Sequence, residues 1–588
     1  MNTASEEESP TSPASPASAR SLAGAVAVLL LLCAATWLWL YGPRRLPGVG
    51  APLGYAQQWA IPPNTTLWPA SAWLLPLGVL VLFGGAAALS AYDRFCRAKN
   101  RREQKTSVVL CVSLLSLLAL VWPWALLGPG GTQNLINATW SDTANQYFST
   151  AYAVEDMRQF TSGYAQRWQQ PPSRLQAHVA THPPGAVLLY YGARRIFNAV
   201  PALQNTFTSL AESLTGYGAA ELASSGNQVR RAAARSAGAS SQFDLPGAAV
   251  GGALWSAFLL SLCVAATVPA VYWLARGAVV DDIASVTLQE GRALLAAALF
   301  ALAPTVNVFA FSLDSLIACF AAWALACLAF RLNGGSPAWS IAAGVILAFT
   351  SFISFGTLAV WGIVVLAAVW HYGAQKTVTS TRSWLRPAPG TERGAMPRPL
   401  ADLGSCVLGF MLGWALLLVL FPMQIGLIFR QAMAVHHEAT IAARTYGVWV
   451  WLNLLMFAMF CSWPVVVGCI LAVLRRLREC RLRAWRTGSP EGMRNPEEEV
   501  EGGIMWDRTA LAVGVAALCT LLLLTVSGNV RGEVERLWLF ALAPLCVLAA
   551  GALGRETVSL RFAALLVGLQ AVQTLALAGA LAPLVRPL

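Results

Sequence analysis

The chain has 588 residues, of which 56% are hydrophobic and only 12% charged, with a formal net charge of +12. That is too little charge to cover a soluble globule of this length, so the composition excludes a water-soluble domain and reads as an integral membrane protein. The positive excess gathers in a few short loops, where it orients spans and does not signal nucleic-acid binding.

Residues 1–20 are acidic and rich in Ser and Pro, the composition of a disordered cytoplasmic tail. They lack the basic n-region of a signal peptide, and the apolar run that follows shows no small-residue cleavage site, so it counts as the first span. Runs long enough to cross about 30 Å of hydrocarbon fall at 22–41, 67–91, 107–127, 248–275, 291–309, 314–332, 338–355, 357–371, 403–428, 447–474, 508–527, 535–553 and 560–582. The expected fold is an all-α polytopic membrane protein of about 13 transmembrane helices, with interfacial helices in an external loop. The apolar stretch 184–200 is short and interrupted by Arg194 and Arg195, the pattern of an interfacial or re-entrant element.

Basic residues set the orientation. Loops 92–106, 372–402 and 475–507 are dense in them, and one alternation of spans puts all three in the cytoplasm. The same alternation places Asp142, Glu155, Asp156, His178 and His182 outside in loop 128–183. It also puts outside Asp314 at a span terminus, His436, His437 and Glu438 in a second loop, and Arg531, Glu533, Glu535 and Arg536 in a third. Polar groups from distant parts of a chain, collected at one face, are what a site built from loops on a helical scaffold requires.

Ser141 or Asp142 can cap a helix running to about Arg158, with Tyr147, Phe148, Ala151, Tyr152, Val154 and Met157 on its apolar side. Asp142 reads equally as a helix cap or as a catalytic carboxylate, and Tyr147 as an ordinary interfacial aromatic. In Thr181-His182-Pro183-Pro184-Gly185 the prolines stiffen the backbone and hold His182 in one orientation. They also end helicity, so His178 and His182 make a poor metal pair. None of the twelve cysteines falls in an expected external loop, which argues against a disulfide framework, and no phosphate-binding loop signature is present.

The external acidic residue Asp142, the Tyr147-Phe148-x-x-Ala151 helix, the His182-Pro183-Pro184-Gly185 segment and the Pro304 to Asp314 stretch follow one another in order. With Gly532-Glu533-Val534-Glu535-Arg536-Leu537-Trp538 near the end, they resemble the GT-C membrane glycosyltransferases of the dolichyl-phosphate-mannose mannosyltransferase and RgtA/B/C/D-like group. The likeness covers 107–582, which leaves 21–106 as two additional N-terminal transmembrane helices. One departure is that Asp142 is followed by Thr143, where that group often has an acidic pair.

The resemblance implies a transferase that moves a sugar from a polyprenyl-phosphate donor to a glycan, lipid or protein acceptor on the non-cytoplasmic face. The membrane would be the bacterial cytoplasmic membrane, or that of the endoplasmic reticulum in a eukaryote. It implies Asp142 as general base, with Glu155 or Asp156 in reserve, and Arg531 and Arg536 on the donor phosphate. His178, His182, Asp314 and Glu533 would serve substrate or a metal, and the resemblance leaves open whether a divalent metal ion takes part. The competing readings are a transporter or flippase for a lipid-linked or small polar substrate, and a catalytically inactive relative. The spans are nearly free of charge at their centres and show no inverted repeat, which favours the enzyme.

In intact cells, single-cysteine variants in a cysteine-free background should label from outside in loop 128–183 and stay protected in loops 92–106, 372–402 and 475–507. External labelling of 475–507 would reverse the assignment of faces.

Overall fold

The protein is described by a computed structural model that covers residues 24, 26–36, 74–98, 100–127, 131–142, 146–167, 177–236, 243–276, 283–376, 398–442, 444–487, 508–554 and 560–581. The acidic tail lies outside these residues, as do 377–397 and 488–507 of the basic loops.

All regular structure among the described residues is helical: α1 (Val26–Thr36), α2 (Leu74–Arg97), α3 (Arg101–Leu126), α4 (Gly131–Trp140), α5 (Gln146–Tyr152), α6 (Met157–Ser162), α7 (Tyr164–Arg167), α8 (Ala177–Ala180), α9 (Gly185–Ala199), α10 (Pro201–Thr215), α11 (Ala219–Ser236), α12 (Ala248–Arg276) and α13 (Ile283–Ala301). The second half continues with α14 (Pro304–Val308), α15 (Leu313–Leu332), α16 (Ala338–Ile353), α17 (Ala359–Lys376), α18 (Arg398–Leu420), α19 (Ile425–His436), α20 (Tyr446–Cys461), α21 (Trp463–Thr487), α22 (Arg508–Ser527), α23 (Val534–Leu537), α24 (Leu542–Leu553) and α25 (Leu560–Leu581).

Among the described residues eight stretches are long and apolar enough to cross a membrane, or nine if the bent pair α20–α21 is one span. They make the chain an integral, multi-pass membrane protein. Of the thirteen expected spans, 22–41 and 67–91 lie partly outside the described residues, 338–355 forms a helix of only 16 residues, and 291–309 and 447–474 are not continuous helices. The run 291–309 stops at Ala301, because Pro304 has no N–H to give and holds Ala303 extended, at φ −62° and ψ 135°. The run 403–428 stops at Leu420, two residues before Pro422. The run 447–474 turns through 112° between α20 and α21. Residues 201–236, unassigned from the sequence, form α10 and α11.

A broken helix frees backbone groups that hydrocarbon cannot satisfy. The polar residues of α25 do so instead. Gln573, fully buried, accepts from Trp463 N at 3.1 Å and donates to Met459 O at 2.6 Å, joining both sides of the α20–α21 bend. Gln570 and Thr574 donate to Leu299 O and Leu302 O at the end of α13, and Asn307 donates to Ala301 O and Ala303 O from within α14.

Helix contacts are close where glycine allows. α16 and α18 cross so tightly that a β-carbon on Gly344 would overlap the Cys406 carbonyl, and one on Gly409 the Ile341 carbonyl. One end of the bundle is fastened by ion pairs, Arg276–Glu290 at 2.9 Å and Arg331–Asp402 at 2.7 Å. Beside them Thr509 bonds Asn333 at 2.6 Å and His371 at 3.2 Å, and Arg292 and Arg475 bond the Gly554 and Ala552 carbonyls. The described flanks of all three basic loops meet at this end. Loop helices α4 to α11 lie at the other, where α9 begins against the last turn of α16.

Ser462, at the bend, is fully buried with φ 92° and ψ 143°, and its hydroxyl has no partner. A side chain in that region costs about 1–3 kcal/mol, and an orphaned hydroxyl adds a similar amount. Ser462→Gly should therefore raise the melting temperature of the detergent-solubilised protein, and more than Ser462→Ala does. Gln573→Leu should lower it, with a loss of stability of about 1–3 kcal/mol for each backbone group left unpaired.

Candidate functional site

In place of one helix from 141 to 158, the loop folds as α5 and α6 with a break at Ala153–Asp156. Asp156 Oδ1 accepts from Gln159 N at 2.7 Å and caps α6, while Arg194 of α9 donates to the Tyr152 and Val154 carbonyls, each at 2.8 Å. The break is built from both sides: a cap begins the second helix and an arginine ties down the carbonyls that end the first. Glu155 sits in it, exposed.

Asp142 follows α4, and its carboxylate is held twice. Ser149 Oγ of α5 donates to Oδ1 at 2.5 Å, and Arg230 Nε of α11 lies 3.2 Å from Oδ2. Arg230 is almost wholly buried; it also donates to the Phe243 carbonyl at 3.0 Å and lies over the Phe243 ring. Sequence reading missed Arg230. The one available signal was helical composition, since the stretch 228–236 around Arg230-Arg231 is rich in Ala and Arg and free of Gly and Pro.

His182 is positioned by the backbone on both sides. The Tyr164 hydroxyl bridges the Val179 and His182 carbonyls at 2.8 and 2.9 Å. After the two prolines Gly185 is required by close approach, since a β-carbon there would overlap the Phe352 carbonyl. His182 Nδ1 is 3.0 Å from the Tyr147 hydroxyl and 3.0 Å from Thr181 Oγ1, with the Tyr147 and His182 rings edge to face. Burial pushes the Tyr147 phenol well above its ordinary pKa; the Arg536 charge opposes that shift and the Asp314 charge adds to it. A phenol that stays protonated and donates to Nδ1 leaves the imidazole proton on Nε2. His178 lies in α8, four residues away.

Both charges that act on Tyr147 belong to one ion-pair cluster. Asp314, buried in the first turn of α15, meets Arg536 Nη1 at 3.1 Å. Arg536 Nη2 pairs with Glu533, whose other oxygen is 3.5 Å from Arg444 Nη2. Arg444 donates to the Arg531 carbonyl and lies over the Trp449 ring. Arg531 turns back, donating to the carbonyls of Gly528, Ile441 and Arg444. The loop is held to α14 by Thr305, which donates to the Glu535 carbonyl.

The structure thus brings together His182, Asp314, Glu533 and Arg536, and adds Tyr147, which the sequence read as an interfacial aromatic, and Arg444, which it did not mark. Asp142 is on the other side of α5, reached through Ser149, and Arg531 braces its own loop. Among the described residues no three His, Cys, Asp or Glu side chains are grouped to hold a metal ion. No protein-family model, curated protein or solved structure matches the chain.

Truncating one member of a buried ion pair costs about 3–5 kcal/mol, because the partner is left charged and unpaired. Arg230→Leu should therefore destabilise the protein by that amount, and adding Asp142→Leu should recover part of the loss. A double-mutant cycle by thermal unfolding measures the coupling; an additive result would mean that the pair is not formed.

Proposed function

We propose that the protein is a membrane glycosyltransferase that moves a sugar from a polyprenyl-phosphate donor to an acceptor hydroxyl at the membrane face opposite the basic loops. The observation that carries the reading is Arg536, held between Asp314 and Glu533 at the start of an apolar span and beside Tyr147 and His182. A guanidinium at that level stands where a lipid phosphate resides, with planar donors matched to phosphate oxygens.

In this reading the acceptor oxygen attacks the anomeric carbon, the bond from that carbon to the phosphate oxygen breaks, and the polyprenyl phosphate departs onto Arg536. The acceptor's proton passes to Asp142, whose second oxygen stays with Arg230. Ser149 and Arg230 orient the carboxylate, and transfer in this reading requires α5 to move it toward the Arg536 side, where His182 meets Tyr147. Carrier sugars borne on a lipid are the natural donors for a site facing away from cytoplasmic nucleotide sugars.

Transport of a lipid-linked substrate is the second reading. One observation favours it: the 112° break between α20 and α21, since discontinuous helices are a feature of transporter substrate sites.

In a membrane assay with a polyprenyl-phosphate sugar, Asp142→Asn should reduce transfer by about 10²–10⁴-fold, a loss to be read in a sample whose melting temperature shows it folded, since the substitution also leaves Arg230 without its carboxylate. Arg536→Lys keeps the charge but loses the planar fork, and should raise the apparent donor KM more than it lowers kcat. Wild-type protein that moves lipid-linked sugar across proteoliposomes without forming a glycosidic bond would decide for transport.

A further inference from the structure

Glu533 is unusual in three ways. It is the one described non-glycine residue besides Ser462 with positive φ, at 57°. It is bound to two arginines, yet its side chain remains 43% exposed, more than Arg536 at 29% or Arg444 at 21%. It also stands in a loop whose other left-handed positions, Gly528 and Gly532, are glycines.

The arginines around it are fixed independently of it. Arg536 keeps Asp314 on Nη1 while Nη2 faces Glu533. Arg444 has Nη1 on the Arg531 carbonyl and its plane on Trp449, while Nη2 faces Glu533. Gly532 makes this possible, because a β-carbon there would overlap Arg444. Two anchored guanidiniums therefore converge on one carboxylate with one oxygen toward each, the arrangement in which two oxygens of a phosphate would be held.

We propose that Arg444 and Arg536 form an anion seat for a phosphate group and that the Glu533 carboxylate is its resident occupant, displaced when a phosphate-bearing ligand binds. The seat is self-neutralised at rest: without Glu533, Arg444 would lack its carboxylate and Arg536 would keep only Asp314. Moving Glu533 outward exchanges one pair of charge-assisted hydrogen bonds for another. The assignment of a lipid-linked donor rests on the glycosyltransferase reading, whereas the seat itself requires only a phosphate.

The test compares the full-length protein with Glu533→Gln, which keeps the side chain's shape and removes its charge. Binding of inorganic phosphate is measured by calorimetry in detergent, and of polyprenyl monophosphate in phosphatidylcholine nanodiscs. Glu533→Gln should tighten inorganic phosphate binding by about tenfold, since a competing charged hydrogen-bond partner is gone. Arg444→Gln in that background should abolish the gain. Equal tightening for the nanodisc-borne ligand identifies a lipid headgroup as the occupant; tightening for inorganic phosphate alone identifies a water-borne one. Unchanged or weaker phosphate binding by Glu533→Gln, in a sample whose melting temperature shows it folded, overturns the seat and leaves Glu533 as a structural bridge. A tightened seat in a protein without transfer activity would remove the glycosyltransferase reading and keep the seat; transfer with an unaltered seat would do the reverse.

Discussion

The architecture depends on how a helix broken in hydrocarbon keeps its backbone hydrogen-bonded. Gln570, the innermost of the α25 donors, lies ten residues from Leu560, or about 15 Å along the axis, which is mid-depth in a bilayer of about 30 Å. No water is available there, so each carbonyl released by a break needs a side-chain donor. Gln570, Gln573 and Thr574 occupy one face of α25 and serve two different breaks. Because those breaks are stabilised, α14 can leave the line of α13 and bring Thr305 to the loop that carries Glu533 and Arg536. The ion-pair cluster at the surface is built on hydrogen bonds made well below it.

The cluster itself joins segments far apart in the chain. Asp314 begins α15, Arg536 follows α22, Arg444 precedes α20, and Tyr147 and His182 come from the loop before α9. Each charge has an opposite charge beside it, which is how such groups persist at the edge of a low-dielectric region. A ligand that binds here would exchange charges with the cluster and need not introduce new ones.

Much of this was legible in the sequence, for definite reasons. Helical class and membrane character follow from composition, since long apolar runs have no other stable form. Asp314, His182, Glu533 and Arg536 stood out because ionisable residues are rare among such runs. The interruptions were less legible, because hydropathy sums side chains and does not register a single backbone angle such as that of Ser462. Pro304 and Pro422 were visible signals, and they mark two of the three places where an apolar run proved discontinuous. Arg230 was hidden for another reason: its partner Asp142 is 88 positions away, and only the fold shows that α11 returns to the loop. Tyr147 looked like one more interfacial aromatic, and nothing local to it predicts the imidazole beside it.

The reliance of the breaks on α25 also orders events during biosynthesis. Thr574 bonds a carbonyl 272 positions earlier in the chain, and Gln573 bonds one 114 positions earlier. When α13, α14, α20 and α21 leave the ribosome, the helix that completes their hydrogen bonding has not been made. Until it arrives, those segments must remain with the translocon, with water or with an insertion chaperone that supplies temporary donors. A nascent chain arrested before α25 is thus an unfinished bundle with open polar seams, a natural substrate for membrane quality control.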